Sequence, residues 1–385
     1  MKIPLLDVNA QNLPLETELK AAFEKVLRSG RFILGPEVSE LEGKIAEMAG
    51  ARHAIGVSSG TDALLLALMT LGIGPGDEVL CPAFTFFATA GSISRIGARP
   101  VFVDSLEETF NIDLQDAAGK VTKRTKAIVP VHLFGLSADM RALTAFAEEH
   151  KLAVIEDDAQ ALGAECHGRP VGGIGDFGTF SFFPSKNLGG FGDGGMVVCN
   201  DDQLAEKARS LRSHGSKPKY FHHSVGGNFR LDELQAALLL VKLPYLKTYT
   251  DRRRENAMVY RERLAEIASS GSLILPIEPE GFGHVWNQYT IRIPGAGERD
   301  RVRKILEQEG VATEIYYPLP LDAQECFREL GQKGSCPVAE RLSTEVLSIP
   351  IGPELTKSDQ ERVLQALSSA IGADQPLSSA ESPRL

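Results

Sequence analysis

Apolar and polar positions alternate along this chain in blocks that predict strands and helices in turn. Short apolar runs typical of buried strands occur at 53–57, 78–81, 100–103, 127–131 and 153–155. Between them, apolar residues recur at helical spacing in the segments 63–71, 86–96, 113–120 and 139–150. Strands that alternate with helices at this spacing predict right-handed crossovers and an α/β fold with a mainly parallel sheet, covered by helices on both faces.

The pattern changes in the second half of the chain. Two apolar runs, 179–183 and 196–199, follow each other without a helix, so we expect one antiparallel strand there. A long helix at 246–269 and strands near 285–293 and 311–317 predict a separate α+β unit. The predicted organisation is a large domain at 1–245, a small domain at 246–372, and a polar, proline-containing disordered tail at 373–385.

Composition narrows the possible classes of protein. The 385 residues carry a formal net charge of -10, which argues against a nucleic-acid-binding surface. No secretory signal opens the chain, and no uncharged run approaches the ~18 residues that a membrane span needs. The five cysteines are scattered without CxxC spacing, and Cys166-His167 lacks further ligands at metal spacing. We therefore expect a cytoplasmic protein with reduced thiols, no metal, and neither membrane nor nucleic acid as a partner.

A lone lysine, Lys186, stands out in the segment 176–198. It follows the apolar run 179–183 and precedes a glycine-rich stretch that leads into the next apolar run. Apolar walls disfavour the ammonium and lower its pKa, as an amine nucleophile toward a carbonyl requires. The alternative is a surface turn with a solvated lysine.

Two further segments are candidates for chemistry at strand ends. Ser59-Gly60-Thr61 lies at a predicted strand-to-helix junction, where free N–H groups bind an anion or Ser59 simply caps the helix. Asp157, in the run 155–160, follows a buried strand, where open α/β sheets bind ligands. A protonated ring nitrogen would pair with such a carboxylate; a magnesium site and a solvated loop are the alternatives.

The segment 173–178 matches GxGxxG by spacing. As a dinucleotide-binding motif it fails, because no apolar strand leads into it and a strand, not a helix, follows. An NAD(P) enzyme is therefore rejected.

Together these segments resemble the DegT/DnrJ/StrS family of sugar aminotransferases, in order from about residue 5 to 370. The motifs that carry the resemblance are Gly60-Thr61, PAFTFFATA with Phe86, EDDAQ with Asp157 and Gln160, SFFPSKNLGGFGDGG with Ser181 and Lys186, and GGNFRLDELQAALL with Asn228 and Arg230. The resemblance implies a homodimeric enzyme with shared active sites, dependent on pyridoxal 5′-phosphate (PLP), with the aspartate aminotransferase fold (fold type I). That fold has a large domain of the seven-stranded type and a smaller C-terminal domain.

The family's residue roles transfer to matching positions of this chain. The resemblance implies that Lys186 forms the aldimine with PLP, that Asp157 faces the ring nitrogen, and that glutamate donates the amino group. The other implied cofactor contacts are Phe86 on the ring, Gln160 near the ring and its hydroxyl, Gly60, Thr61 and Ser181 on the phosphate, and Asn228 from a second subunit.

The run after Lys186 is similar to members of the family that act at C3 of the sugar. The string SFFPSK looks closest to enzymes that aminate UDP-2-acetamido-3-keto-glucuronate, with a dTDP-linked 3-keto-6-deoxyhexose as the alternative substrate. Arg230, with its planar fork, is the candidate for the sugar carboxylate or diphosphate, unless it pairs with Asp232 or Glu233. Tyr317 is a candidate for a sugar hydroxyl. Tyr316 stands where close relatives usually have histidine, which makes it a candidate specificity residue.

Two other functions stay open at this point. A dehydratase of the same fold would carry histidine in place of Lys186, so the lysine argues against it. A non-catalytic regulatory homologue is the alternative from a different class. Asp158, where the family usually has alanine, is expected to point away from Asp157, because two adjacent buried anions raise each other's pKa.

Overall fold

The computed structural model describes residues 2–218 and 220–372, and the predicted tail at 373–385 lies outside the described residues. Its strands are β1 (His53–Val57), β2 (Glu78–Pro82), β3 (Arg99–Val103), β4 (Thr125–Ile128), β5 (Ala153–Asp157), β6 (Glu165–Cys166), β7 (Arg169–Pro170), β8 (Phe177–Ser181), β9 (Gly195–Cys199), β10 (Phe282–Gly283), β11 (Tyr289–Arg292) and β12 (Val346–Ile349). Its helices are α1 (Val8–Asn12), α2 (Glu16–Ser29), α3 (Pro36–Met48), α4 (Gly60–Leu71), α5 (Ala88–Arg95), α6 (Leu114–Lys120), α7 (Met140–His150), α8 (Asp202–Arg212), α9 (Glu233–Lys242), α10 (Leu246–Ser269), α11 (Glu298–Gln308), α12 (Pro337–Glu345) and α13 (Lys357–Gly372).

A seven-stranded sheet forms the centre of the larger part of the molecule. Its strand order is β1-β9-β8-β5-β4-β2-β3. The pairs from β3 across to β8 are parallel, and β9 runs antiparallel to both of its neighbours, β8 and β1. The predicted mainly parallel sheet with one reversed strand is therefore confirmed.

Helix α4 is the element that orients the site, and it is buried along nearly its whole length. Every residue from Ala63 to Leu68 is buried, and the helix packs against β5, β8 and β9. A helix that is apolar on all sides belongs in the core. The opposite face of the sheet is covered by α3 and α9, through residues such as Leu41 and Leu239. The N-terminus of α4 is thereby fixed at the edge where β5 and β8 end.

The C-terminal part has its own buried core around the two-stranded sheet of β11 and β12. This core joins α10, α11 and α13 through residues that include Tyr260, Trp286 and Leu347. The segment that contains Leu321 and Leu342 packs instead into the core of the seven-stranded sheet. The division into domains at 1–245 and 246–372 stays a prediction.

The predicted strand at 311–317 is wrong. Only isolated bridges form there, from Val311 to Ile3 and from Glu314 to Ser348. Ile3 comes from the other end of the chain, so no local pattern encodes this pairing.

Within residues 2–218 and 220–372, no helix combines the length and apolar character needed to cross a bilayer.

Candidate active site

A closed loop between β8 and β9 carries Lys186. The N–H of Phe182 donates to the carbonyl of Gly194 at 2.8 Å, which closes the loop at its base. A Cβ atom on Gly195 would lie 2.5 Å from the backbone of Ser59. Only glycine permits so close an approach of two backbones. The glycine at this position therefore holds the lysine loop against the N-terminus of α4.

The environment of Lys186 lowers the pKa of its amine. The side chain is half-buried, and desolvation lowers its pKa to about 8, although the negative charge of Asp157 acts in the opposite direction. The backbone N–H of Lys186 donates to the carbonyl of Phe183 at 2.8 Å, which fixes the turn. An amine with this pKa is partly neutral near physiological pH, as a nucleophile toward carbonyl carbon must be.

Asp157 lies at the carboxyl end of β5, and its side chain is buried. Burial raises the pKa of this carboxyl, while hydrogen bonds from the Thr89 hydroxyl at 2.8 Å and the Ala159 N–H at 3.2 Å oppose the rise. Both donors are neutral, so the carboxylate retains the capacity to bind a cationic N–H. Thr89 was missed by the sequence analysis, because it lies 68 positions from Asp157 in the chain.

The start of α4 supplies both features that were considered from sequence, a cap and a set of free donors. The Ser59 hydroxyl oxygen caps the helix by accepting from the N–H of Asp62 at 3.0 Å. Among the described residues, the backbone N–H groups of Gly60 and Thr61 have no hydrogen-bond acceptor. Ser181 reaches this point from β8, because a Cβ on Gly60 would lie 2.8 Å from the Ser181 Cβ. Free N–H groups at a helix N-terminus beside a hydroxyl suit a phosphate.

Aromatic and amide side chains line the approach to this site. The Gln160 amide nitrogen donates to the Tyr317 hydroxyl at 3.2 Å, and its oxygen accepts from the Phe134 N–H at 2.6 Å. The Phe86 ring is 58% exposed and lies 6.2 Å from the ring of Tyr317. Tyr316 lies next to Tyr317, with ring centroids 5.8 Å apart. An exposed aromatic ring held this way is free to stack on a planar ligand.

Asn228 and Arg230 lie beside the start of α4. They line a polar cavity of about 440 Å³ together with Ser59 and Asp193. Within 2–218 and 220–372, no ion pair reaches Arg230, and its Nε atom is buried without a hydrogen-bond partner. The alternative pairing with Glu233 does not form, because that carboxylate accepts from backbone N–H groups of the 35–38 segment instead. In a single chain, the structure therefore does not join these two residues to Lys186 by any hydrogen bond.

A second desolvated lysine and two groups of possible metal ligands also emerge. Burial lowers the pKa of Lys242 to about 8, and its Nζ donates to the Gly189 carbonyl at 2.5 Å. Within each group, the possible ligand atoms lie within 4.8 Å of one another; the groups are Asp139 with Cys166 and His167, and His132 with Glu156 and Asp158. Neither group can be recognised from the spacing of residues in the sequence, because each combines residues from separate segments. The expectation of no metal stays a prediction.

The chain is similar to known proteins over most of its length. The family model of the DegT/DnrJ/EryC1/StrS aminotransferases matches residues 14–368. A pleiotropic regulatory protein of Geobacillus stearothermophilus is 51% identical over 95% of this chain and 98% of its own. A UDP-N-acetyl-3-dehydro-α-D-glucosamine 3-aminotransferase of Acidithiobacillus ferrooxidans is 47% identical over 94% of this chain and 96% of its own. A dTDP-3-amino-3,4,6-trideoxy-α-D-glucose transaminase of Streptomyces venezuelae is 42% identical (95% and 95%).

Solved structures agree over nearly the whole chain. DesV of S. venezuelae, in complex with a ketimine intermediate, superposes with a TM-score of 0.91 at 42% identity, covering 96% of this chain and 98% of that one. NtdA of Bacillus subtilis, with bound cofactor PMP, gives a TM-score of 0.90 at 33% identity, covering 96% and 85%. The chain therefore belongs to the DegT/DnrJ/EryC1/StrS family of PLP-dependent sugar aminotransferases.

Proposed function

We propose that this sugar aminotransferase moves an amino group from glutamate to the C3 keto group of UDP-2-acetamido-3-keto-glucuronate. The observation that carries the catalytic part is the half-buried amine of Lys186, with a pKa of about 8, in electrostatic contact with the buried carboxylate of Asp157. An anion-binding helix start, at Gly60 and Thr61, faces the same loop. The amine, the carboxylate and the helix start correspond to three parts of PLP, namely the carbon that takes amines, the ring nitrogen and the phosphate.

The residues present fit the cofactor. Gly60, Thr61 and Ser181 would hold its phosphate through backbone N–H groups and a hydroxyl, because no protein acceptor in the described ranges takes those N–H groups. Asp157 would accept a hydrogen bond from the ring N–H. Its present donors, the Thr89 hydroxyl and the Ala159 N–H, are neutral, so its negative charge stays available for that contact. When bound, PLP supplies a carbon that takes amines and a ring that withdraws electrons. Phe86 and Gln160 would contact the ring.

The chain's own chemistry is proton transfer and binding. Lys186 Nζ would hold the cofactor covalently, and as a free amine it would take a proton from the substrate carbon and return it. Asp157 would keep the proton on the ring nitrogen, because a buried anion beside that atom favours the cation. Glutamate would bring the amino group in a first half-reaction and leave before the keto sugar enters.

The pH dependence of Lys186 provides a test. We expect the rate at which the apoenzyme captures PLP to rise with pH and to reach half of its plateau near pH 8, because the neutral amine is the reactive form. An unperturbed lysine has a pKa of 10.5, so its rate would still be rising at pH 10. Stopped-flow absorbance from pH 6 to 10 measures this; a midpoint near 10 would contradict a desolvated amine.

The phosphate site can be blocked by one methyl group. Gly60→Ala is expected to weaken PLP binding about tenfold or more, about 1.4 kcal/mol, because the new Cβ would lie 2.8 Å from the Ser181 Cβ. Fluorescence titration of the apoenzyme measures the affinity. Gly43→Ala is the matched control, since a Cβ there meets nothing within 4 Å. Equal affinities for the two variants would show that Gly60 does not border the cofactor.

Specificity for a C3 keto group on a UDP sugar rests on two supports. The run that follows Lys186 is similar to members that act at C3, and the relative that acts at C3 of a UDP sugar is 47% identical. The alternative, a dTDP-linked 3-keto-6-deoxyhexose, is supported by the 42% identical dTDP-sugar transaminase. The carboxylate at C6 is the part of the proposal that depends on Arg230. Tyr316 and Tyr317 are the proposed contacts to the sugar.

Arg230 has no anionic partner of its own among the described residues, so we expect it to bind one on the substrate. Arg230→Ala should lower kcat/KM for the uronate about 30-fold or more, the lower range for losing one partner of a buried charge pair. The loss should be smaller on the matching sugar nucleotide without the carboxylate. Equal losses on both substrates would assign Arg230 to the diphosphate, and no loss would remove it from the substrate site.

A dimer with shared active sites explains the position of Asn228. In one chain this residue lines the polar cavity next to Ser59, with no hydrogen bond to Lys186. Nearby, the side chains of Phe32 and Ile33 are 44% and 50% exposed, as expected of residues that pack against a partner. A second copy would thus present Asn228 to the cofactor. Sedimentation that shows only monomers of the holoenzyme would overturn this arrangement.

A regulatory role is the second candidate, favoured by the name of the 51% identical relative. It requires that the amine and carboxylate of the site be unused. The net charge of -10 argues against binding to DNA. A DNA mobility shift at moderate salt, without any amino transfer, would support this candidate.

The substrate is tested by direct competition. Holoenzyme is incubated with ¹⁵N-glutamate and a mixture of three sugar nucleotides. They are UDP-2-acetamido-3-keto-glucuronate, its 3-keto analogue without the carboxylate at C6, and a dTDP-linked 3-keto-6-deoxyhexose. Mass spectrometry then follows the label. We expect the uronate to be aminated first. Preference for the dTDP sugar would replace the proposed substrate, and absence of label from all three sugars would remove this substrate class.

A further inference from the structure

Three carboxyl groups lie in a row at the end of β5, and only the middle one, Asp157, serves the proposed cofactor site. Its neighbours Glu156 and Asp158 share a separate cluster with His132, and their exposures are 0%, 1% and 0% in that order. The Asp158 partners differ from those of Asp157: Asp158 Oδ2 accepts from the Thr179 N–H, and Asp157 accepts from the Thr89 hydroxyl. The cluster lies directly behind the catalytic carboxylate.

The geometry of His132 fixes its charge. Its Nδ1 accepts a hydrogen bond from the Ala138 N–H at 3.1 Å, so this nitrogen carries no proton. The hydrogen of the neutral ring is therefore on Nε2, which lies 3.2 Å from Glu156 Oε2 and 3.4 Å from Asp158 Oδ1. One neutral N–H thus faces two carboxyl groups, and no imidazolium is present to balance them.

Glu156 has enough donors to remain ionised. Its two oxygens accept from the N–H groups of Gly172, Ile174 and Gly175, at 3.0, 2.8 and 2.7 Å. Burial opposes ionisation, but three backbone hydrogen bonds favour the charged form of this carboxyl. The segment that resembled a dinucleotide motif therefore binds an anion of its own chain.

Asp158 lacks such donors. Its Oδ2 accepts from the Thr179 N–H at 3.2 Å, but Oδ1 is buried without a hydrogen-bond partner. Burial, together with the charges of Glu156 and Asp157, raises the pKa of this carboxyl well above its ordinary value. Gly172, which is uncharged, also lies beside this carboxyl, since a Cβ on it would lie 3.4 Å from Oδ2. An ionised oxygen at Oδ1 would be an uncompensated buried charge.

We propose that Asp158 is a neutral carboxylic acid at physiological pH, with its proton on Oδ1, and that in this form it positions Asp157. A candidate acceptor for this proton is the carboxylate of Glu156, since one oxygen of each residue lies within 4.8 Å of the other. Asp158 is a positioning residue, since it contacts neither substrate nor cofactor. The protonation of Asp158 does not depend on the proposed function. Its effect on catalysis, through the position of Asp157, does rest on the proposed function.

The positioning works through two strands. The Asp158 N–H donates to the Thr179 carbonyl at 2.9 Å, and the Thr179 N–H donates to Asp158 Oδ2. Strand β8, which contains Thr179, leads directly into the Lys186 loop. The neutral acid therefore ties the strand of Asp157 to the strand that leads to Lys186, without placing a second charge beside Asp157.

Infrared difference spectroscopy of the apoenzyme tests the protonation. Wild type minus Asp158→Asn should show the carbonyl stretch of a protonated carboxyl at pH 7, shifted in D₂O. Absence of this band, or a stoichiometric metal ion found by elemental analysis of the purified protein, would overturn the proposal. Both readouts are independent of amino transfer, so they stand even if the proposed substrate is wrong.

Variants test the positioning role. Asp158→Asn mimics the neutral acid and should retain kcat and the pH profile within about threefold. Asp158→Ala removes the partner of the Thr179 N–H and should lower kcat about tenfold with KM little changed, which the asparagine restores. If Asp158→Asn fails to fold, or loses as much activity as alanine does, the neutral-acid assignment is wrong.

Discussion

Lys186→Ala is expected to lower kcat for amino transfer about 10³-fold or more and to remove the visible absorbance of the purified protein. The substitution deletes both the group that binds PLP covalently and the acid-base group at the substrate carbon, and the latter alone contributes about 10²–10⁴-fold in enzymes. One other lysine of the described residues has a pKa lowered to about 8, and its amine already has a hydrogen-bond partner. Lys242, with the same lowered pKa, donates to the Gly189 carbonyl.

Steady-state rates with glutamate and the keto sugar, and absorbance spectra, measure this loss. Lys123→Ala is the control, because that side chain is exposed in a loop, and it should leave rate and colour unchanged. A Lys186→Ala protein that is yellow and retains a tenth of the wild-type rate would exclude Lys186 as the cofactor lysine.

Asp157→Asn is expected to lower kcat about 10²–10³-fold while PLP still binds. Asparagine keeps the size of the side chain but removes the negative charge, so the ring nitrogen loses its proton and the ring withdraws electrons less strongly. The hydrogen bond from Thr89 can persist to the amide oxygen. The loss should therefore appear in kcat and not in cofactor affinity.

Single-turnover rates and fluorescence titration separate these two quantities. Asp300→Asn is the matched control, since the side chain of Asp300 is 67% exposed and pairs with its neighbour, Arg299. If Asp157→Asn keeps kcat within about threefold of wild type, the carboxylate does not act on the ring nitrogen.

The sheet could be predicted because the periodicity of strands and helices is local. The predicted long helix at 246–269 agrees with α10, since it depends on the spacing of residues within one segment. Strand 311–317 failed because its partner, Ile3, lies at the far end of the chain. Pairing between distant segments decides such strands, and no periodic pattern records it.

The candidate site was predicted unevenly for the same reason. Lys186 was found because a lysine between apolar runs is visible in a short window, and Asp157 because it follows a buried strand. The meeting of Ser181 with Gly60 depended on the family resemblance, because it joins segments that are distant in the sequence. Thr89 and His132 were missed, since each acts only through a contact with β5 that folding creates.

The central claim is that Lys186 is the residue that carries PLP. It is tested most directly by reducing the holoenzyme with borohydride, digesting it, and locating the pyridoxyl phosphate group by peptide mass spectrometry. The account predicts that the group is found on Lys186. A group on Lys242, or a protein that carries none, would contradict it.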